Sequence, residues 1–142
     1  PTQFAAVEAY DGDYDEYKNK VKGILKAVGM YVYNNLKSNN ILIAPPQGAF
    51  YLMPEFKNKK YKTSSKLCEV ILSETGVAML PGSDFGFKPN KMLTRLSYTD
   101  FDGNEFFRNV KNYNSIDEDI IKKYAPNIVE GVFKLSKWAK NL

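Results

Sequence analysis

The sequence predicts a two-layer α+β domain, in which a short, mostly antiparallel sheet packs against helices. Apolar residues recur every three or four positions from residue 14 to about residue 38, which is the spacing of one long amphipathic helix. Short runs of β-branched, aliphatic and aromatic residues, bounded by Pro and Gly, predict strands. A length of 142 residues with 44% hydrophobic content suits one domain with a core of its own.

Two helices are predicted at the start of the chain. Residues 3–10 form a short helix that ends at Asp11-Gly12. Asp13, with Glu16 three residues later, has the spacing of a capping box for the long helix. The apolar stripe of that helix must cover another part of the molecule. Its members are Tyr17, Val21, Ile24, Leu25, Val28, Val32 and Leu36.

Four strands and one helix are predicted in the middle of the chain. The predicted strands are 41–44, 49–53, 77–80 and 93–99. A Pro-Pro-Gln-Gly turn at 45–48 separates the first two, and Pro54 ends the second. Thr63 or Ser64 caps a helix that runs to Glu74, and Gly76 is its expected C-terminal glycine.

The last third of the chain is predicted to be helical. Helical segments are expected around 104–113 and 117–124. Pro126 then begins a final helix, since proline is well suited to a first helical turn. That helix places apolar residues on one face, namely Ile128, Val132, Phe133, Leu135 and Trp138.

The composition excludes several kinds of site. The chain has no histidine, which Ser-His-Asp triads, Cys-His pairs and most zinc sites need. Cys68 is the single cysteine, so an internal disulfide is excluded, and its apolar neighbours favour a buried structural role. The net charge of +4 comes from scattered residues, 18 of the 20 being lysine, so nucleic-acid binding is not expected.

The sequence also gives an expected location. The longest apolar runs fall short of the roughly 20 residues that span a bilayer, and the chain does not open with the pattern of a signal peptide. A cytoplasmic protein without membrane partners is therefore expected.

Arg95 is the residue that most strongly indicates chemistry. Alternation along the fourth strand places Leu93, Arg95, Ser97 and Thr99 on one face. A guanidinium at a half-buried strand position needs an anion or other hydrogen-bond acceptors. A small carboxylate can supply them through paired N–H bonds, and an internal ion pair with Asp84 or Asp100 is the alternative.

Three separated motifs resemble the C-terminal small domain of the class I aminotransferases, which are fold-type I pyridoxal-phosphate enzymes related to aspartate aminotransferase. The motifs, in order, are Pro46-Gln47-Gly48-Ala49-Phe50-Tyr51-Leu52, Gly76-Val77-Ala78-Met79-Leu80-Pro81-Gly82-Ser83-Asp84-Phe85-Gly86 and Arg95-Leu96-Ser97-Tyr98. Residues 1–10 are similar to the family's lead into the long interdomain helix. The resemblance covers residues 1 to about 101, and segment 102–125 departs from it by roughly two extra helical turns.

The resemblance implies a site and a domain division. It implies that Arg95 binds the α-carboxylate of the amino-acid or 2-oxo-acid substrate, with Phe50 beside the arginine and Gly48 allowing a tight start to the strand. Residues 1–12 would end the large domain or its linker, and residues 13–142 would form the small domain. In such enzymes the small domain moves toward the large one on substrate binding and excludes water.

The resemblance also implies a cofactor and partners. Pyridoxal 5'-phosphate would be held by the full-length parent, normally a homodimer, and not by this chain alone. Lys66 and Lys137 each follow a serine, but neither lies where the family's Schiff-base lysine belongs. The predicted function is therefore that of an aminotransferase fragment that is inactive by itself. A loss of the large domain would expose part of the long helix's stripe or promote self-association.

Two other functions stay open from the sequence. The chain can be a free-standing carboxylate-binding or protein-interaction module that kept the fold without the chemistry. It can also be the same domain of a pyridoxal-phosphate-dependent lyase or synthase, since C–S lyases and cyclopropane-carboxylate synthases resemble aminotransferases here.

Overall fold

Six helices and five short strands make up the chain, and the computed structural model describes all residues, 1–142. The helices are α1 (Thr2–Asp11), α2 (Asp15–Leu36), α3 (Ser64–Thr75), α4 (Gly103–Asn109), α5 (Glu118–Tyr124) and α6 (Pro126–Ala139). The strands are β1 (Ile41–Leu42), β2 (Tyr51–Leu52), β3 (Glu55–Phe56), β4 (Leu80–Pro81) and β5 (Thr94–Ser97). A 3-10 turn, Gly82–Phe85, follows β4 directly. The predicted α+β class is confirmed.

The sheet is antiparallel, as predicted, with β5 at its centre. Its order is β2-β5-β4. Tyr51 of β2 lies opposite Ser97, and Leu80 of β4 lies opposite Arg95. β1 and β3 form a separate two-stranded antiparallel ladder, and Glu55 of β3 bridges to Leu93 just before β5. All strands are shorter than predicted, and β3 is not predicted at all because the Pro54 before it indicates a strand end.

The long helix α2 lies at the centre of the core. Its apolar stripe is buried from its third turn onward, with Ile24, Val28, Val32 and Leu36 at most 5% exposed. α6 packs along it, and α4 and α5 pack against it as well. The predicted stripe is therefore largely covered within the chain itself. The exposed part of the stripe is its first residue, Tyr17, which lies near other exposed apolar side chains at the N-terminal end of the chain, namely Phe4, Val7, Tyr10 and Tyr14.

The helix ends agree with the predictions in one case and differ in another. Thr63 caps α3, because its Oγ1 accepts a hydrogen bond from the Lys66 backbone N–H at 3.2 Å. Gly76 ends that helix with a φ of 75°, as expected. The predicted capping box at α2 is wrong: Tyr14 occupies the cap position, and Asp13 accepts a hydrogen bond from the Asp15 N–H at 3.0 Å instead.

The final helix matches the prediction in position and only partly in its buried face. α6 begins at Pro126 and buries Ile128, Val132 and Leu135. Phe133 is 66% exposed, since it lies on the opposite side of the helix from these residues. None of the helices is both long and apolar enough to cross a membrane.

Candidate carboxylate-binding site

The two faces of β5 differ in burial as the alternation predicts. Thr94, Leu96 and Tyr98 face the core and are buried. The Thr94 hydroxyl donates to the carbonyl oxygen of Pro54 at 3.1 Å, which satisfies the buried polar group. Arg95 is half-buried, and Ser97 is exposed on the same, open face of the sheet. Arg95 therefore lies on the face that a ligand can reach.

Leu93 is an exception to the predicted alternation. It was expected on the Arg95 face, but it is buried. It lies just before β5, where the Gly82 backbone N–H donates a hydrogen bond to the Leu93 carbonyl oxygen at 2.8 Å. The backbone at Gly82 therefore covers Leu93. A Cβ at position 82 would lie only 2.7 Å from that oxygen, so only glycine fits there without rearrangement.

Two aromatic rings flank the guanidinium of Arg95. Its Cζ lies 4.4 Å from the ring centroid of Tyr51 and 4.2 Å from that of Phe85. Tyr51 belongs to β2, and Phe85 ends the 3-10 turn that follows β4. Because β5 lies between β2 and β4, the two rings come from segments on opposite sides of β5 in the sheet. Both distances are within the range of cation–π attraction.

No carboxylate of the chain pairs with Arg95. Every ion pair within 4.0 Å is made by a lysine. Asp84 is exposed in the 3-10 turn, and Asp100 accepts a hydrogen bond from the Asn127 amide at 3.4 Å. The internal ion pair considered from the sequence is thus not formed, and no hydrogen bond ties the guanidinium to another residue of the chain.

Phe50 is the neighbour of Tyr51, and its ring makes no cation–π contact with Arg95. It is 37% exposed, so it is not a core residue. Its ring packs against that of Tyr51, with 4.2 Å between the centroids. The ring beside Arg95 is that of Tyr51, because residue 51 is the one that pairs across the sheet on the Arg95 face. Phe50 therefore supports the Tyr51 ring from the edge of the site.

The turn before β2 has its unusual backbone conformation at Ala49. Ala49 has a φ of 54°, which lies in the left-handed region that favours glycine. The φ of Gly48 does not lie in that region. A Cβ at Gly48 would meet no atom within 4 Å, so the fold itself does not require glycine there. The predicted strand from residue 49 begins at residue 51 for this reason. The buried Tyr98 hydroxyl donates to the Ala49 carbonyl at 3.0 Å and fixes the turn.

Lys66 does not fit the role of a Schiff-base lysine. Its ammonium lies 2.8 Å from the Glu69 carboxylate on the surface of α3. The hydrogen bond to Glu69 raises the pKa of Lys66 above its ordinary value, whereas a nucleophilic lysine needs a lowered pKa. Lys137 is exposed on α6. The ammonium groups of both residues therefore lie on the surface of the chain.

Cys68 has the properties of a structural residue. It is 7% exposed within the core. Burial, with a smaller contribution from the negative charge of Asp84, raises the pKa of its thiol to about 11. The thiol is protonated at neutral pH and does not act as a nucleophile there.

Comparison with known proteins identifies the family. A sequence profile described as aminotransferase class I and II matches residues 1–106. The chain belongs to this aminotransferase family. An aspartate aminotransferase from Bacillus sp. (strain YM-2) is 33% identical over 90 residues, which are 60% of this chain and 23% of that protein. An aspartate aminotransferase from Sulfolobus acidocaldarius is 28% identical over 149 aligned positions, covering 100% of this chain and 31% of that protein.

Solved aminotransferase structures share the fold. The alanine aminotransferase of Pyrococcus furiosus superposes with a TM-score of 0.68 over 99% of this chain and 30% of its own, at 24% identity. The aspartate aminotransferase of Thermotoga maritima gives a TM-score of 0.61 over 97% of this chain and 28% of its own, at 25% identity. This aminotransferase chain thus spans less than a third of the length of each of these relatives.

The sequence indicated Arg95 but missed the two rings that contact it. Tyr51 and Phe85 are both present in the motifs that carry the family resemblance. Their contact with Arg95 depends on the pairing of β2 and β4 with β5, and a single sequence does not specify that register. No local pattern in the sequence would have indicated them, because Tyr51 lies opposite Ser97 and Phe85 lies in the turn after β4.

Proposed function

We propose that this chain is the C-terminal part of a pyridoxal-phosphate-dependent aminotransferase and that Arg95 binds the α-carboxylate of its amino-acid and 2-oxo-acid substrates. The observation that supports this role is the state of the guanidinium. It is half-buried on the open face of a sheet, flanked by two rings, and free of any acceptor in the chain. Its N–H groups are therefore available to an external anion.

The surroundings of Arg95 suit a carboxylate. The open face adds apolar surface around the guanidinium, since Leu80, opposite Arg95, and Phe85 are 45% and 38% exposed. Partial exclusion of water strengthens a charged hydrogen bond. A guanidinium offers two parallel N–H donors that match the two oxygens of a carboxylate. Such a pair fixes both the position and the orientation of the bound acid.

The cofactor belongs to the proposed parent enzyme. When bound, pyridoxal phosphate supplies the electron sink for amino-group transfer. Lys66, which pairs with Glu69 on the surface, and Lys137, which is exposed on α6, are not assigned a covalent link to it. This chain's part in the reaction is to bind and orient the substrate, and it is expected to be inactive alone.

The test uses the complete enzyme that contains this chain. Arg95→Lys replaces a planar guanidinium, which has two parallel N–H donors, with a single ammonium. This change should lower kcat/KM for the amino-acid substrate about 10- to 100-fold, which corresponds to the loss of one charge-assisted hydrogen bond. The absorbance of the bound cofactor should not change. The control is Arg108→Lys, at an exposed position on α4, which should keep wild-type kinetics. Loss of the cofactor absorbance in Arg95→Lys, or unchanged kinetics, would contradict the proposal.

A further inference from the structure

We infer that Tyr51 and Phe85 are positioning residues, which hold the Arg95 guanidinium ready for a carboxylate by contacting its faces and leaving its N–H groups free. We call the two rings the aromatic clamp. This inference rests on the proposed role of Arg95 in carboxylate binding. Tyr51 and Phe85 hold the arginine in a position to bind, and neither of them contacts the carboxylate.

An arginine that binds substrate has to be ordered before the substrate arrives. Its long side chain loses conformational entropy when it is fixed in one position, and binding is weaker if that loss falls on the binding step. Most buried arginines are fixed by a carboxylate, which uses the same N–H groups that a substrate needs. The clamp avoids this competition, because the faces of aromatic rings attract a guanidinium without accepting the in-plane N–H bonds that a carboxylate uses.

The geometry of the clamp supports this role. Both ring centroids lie within 4.4 Å of the Arg95 Cζ, well inside the roughly 6 Å limit for cation–π attraction. The two rings come from segments on opposite sides of β5. The guanidinium is thus held from two sides, while no hydrogen bond from it to the rest of the chain is formed.

The rings themselves are held by the backbone next to Arg95. Tyr51 is paired with Ser97 in the ladder between β2 and β5, and its ring packs against Phe50. Phe85 ends a turn whose first residue, Gly82, donates its N–H to Leu93, two residues before Arg95. Both rings therefore keep their place relative to β5, which is the property that a positioning residue requires.

A nuclear magnetic resonance experiment on the 142-residue chain tests the contact. The chain has two arginines, so a 15N spectrum shows two Nε–Hε signals, and Arg108→Lys identifies the one from Arg95. Protons over an aromatic ring are shielded by its ring current. The Arg95 Hε signal should therefore lie upfield of the Arg108 signal, and Tyr51→Leu and Phe85→Leu should each move it downfield. An Arg95 signal at the position of a solvent-exposed arginine would overturn the inference.

A titration tests the effect on binding. The probe is 3-phenylpropionate, with 3-phenylpropanol as the control that lacks the carboxylate, and the readout is the Arg95 Hε shift. Tyr51→Leu and Phe85→Leu should each weaken binding of the probe about two- to fivefold, the effect expected from losing one exposed cation–π contact. Tyr51→Phe keeps the ring and should bind like wild type. Phe87→Leu is the matched control, because the Phe87 ring lies 5.2 Å from the Lys91 ammonium and has no contact with Arg95.

The outcomes separate the clamp from the proposed function. If the wild-type signal does not respond to the probe, or responds equally to the alcohol, the carboxylate-binding role fails, and the inference fails with it. If the wild-type signal responds but both leucine variants bind the probe as tightly as wild type does, only the clamp is overturned. A thermal unfolding midpoint for each variant shows that it is folded. Phe85 is 38% exposed, so Phe85→Leu gives a decisive result even if Tyr51→Leu does not fold.

Discussion

Arg95 differs from the lysines in having two aromatic rings at its charge, whereas each lysine that contacts a ring contacts one. The ion pairs are all made by lysines on the surface. Arg95 is half-buried, and its neighbours are rings rather than carboxylates. This arrangement leaves the N–H groups of Arg95 available to an anion from outside the chain.

The sequence revealed only part of this site. Arg95 is recognisable because alternation along one strand is a local property that requires no knowledge of the partner strand. Tyr51 and Phe85 come to it from segments 44 and 10 residues away in sequence, so their contact depends on strand pairing. Phe50 is expected beside the arginine because it matches the aromatic residue of the family motif, whereas the pairing of Tyr51 with Ser97 brings the Tyr51 ring to the guanidinium.

Cys68 provides a pH-dependent prediction. Burial raises the pKa of its thiol to about 11, against about 8.5 in an unfolded chain. The stabilisation is fully present below pH 8.5 and is lost as the pH rises towards 11, because only the unfolded chain releases the proton in that window. The free energy of unfolding should therefore fall by about 2–3 kcal/mol more in wild type than in Cys68→Ala.

Urea unfolding at several pH values between 8 and 11 measures this difference. The lysines and tyrosines titrate in both chains, so the comparison with Cys68→Ala isolates the thiol. Parallel pH dependences of the two chains would show that the thiol titrates normally and is not buried as described.

Among the secondary-structure elements, the helices were easier to predict than the strands. α2 extends over 22 residues, so its apolar periodicity is repeated about six times and defines the element well. The strands are two to four residues long, which is too short for a clear alternation. Two local features also affect the strand boundaries. The left-handed backbone of Ala49 delays the start of β2. Pro54 indicates a strand end in the sequence, yet β3 begins directly after it and pairs with β1.

Glycine positions on two helices give a prediction for how α2 supports the site. A Cβ at Gly29 of α2 would lie 2.9 Å from the buried Tyr98 ring, whose hydroxyl fixes the turn at Ala49. A Cβ at Gly131 of α6 would lie 3.6 Å from Val77, an ordinary contact. Gly29→Ala should therefore destabilise the chain by about 1–3 kcal/mol, and Gly131→Ala should stabilise it by about 0.5–1 kcal/mol.

The free energies of unfolding in urea compare the two variants directly. Both substitutions add the same methyl group inside a helix, so the difference between them reports the contact with Tyr98. Equal stabilities of the two variants would mean that Tyr98 can move without cost and that it does not fix the turn before β2.

For the molecule as a whole, helices α2 to α6 all contribute residues to the core, whereas α1 is exposed. α4 and α5 bury Phe106 and Ile121 against α2, so the segment expected to be an extra insertion forms part of the core. The Sulfolobus relative aligns with the whole chain, which indicates that this segment is not peculiar to it. Only α1 buries none of its residues, and its Phe4, Val7 and Tyr10 are exposed. That residues 1–12 end the large domain or its linker stays a prediction.

The most direct test of the account compares two substrates in the complete enzyme, an amino acid and the amine that lacks its carboxylate. If Arg95 recognises the carboxylate, Arg95→Lys should lower kcat/KM for the amino acid and leave that for the amine almost unchanged. The ratio of the two values should then fall at least about tenfold relative to wild type. An equal loss of activity on both substrates would contradict the account, because it would place Arg95 in a role that does not involve the carboxylate.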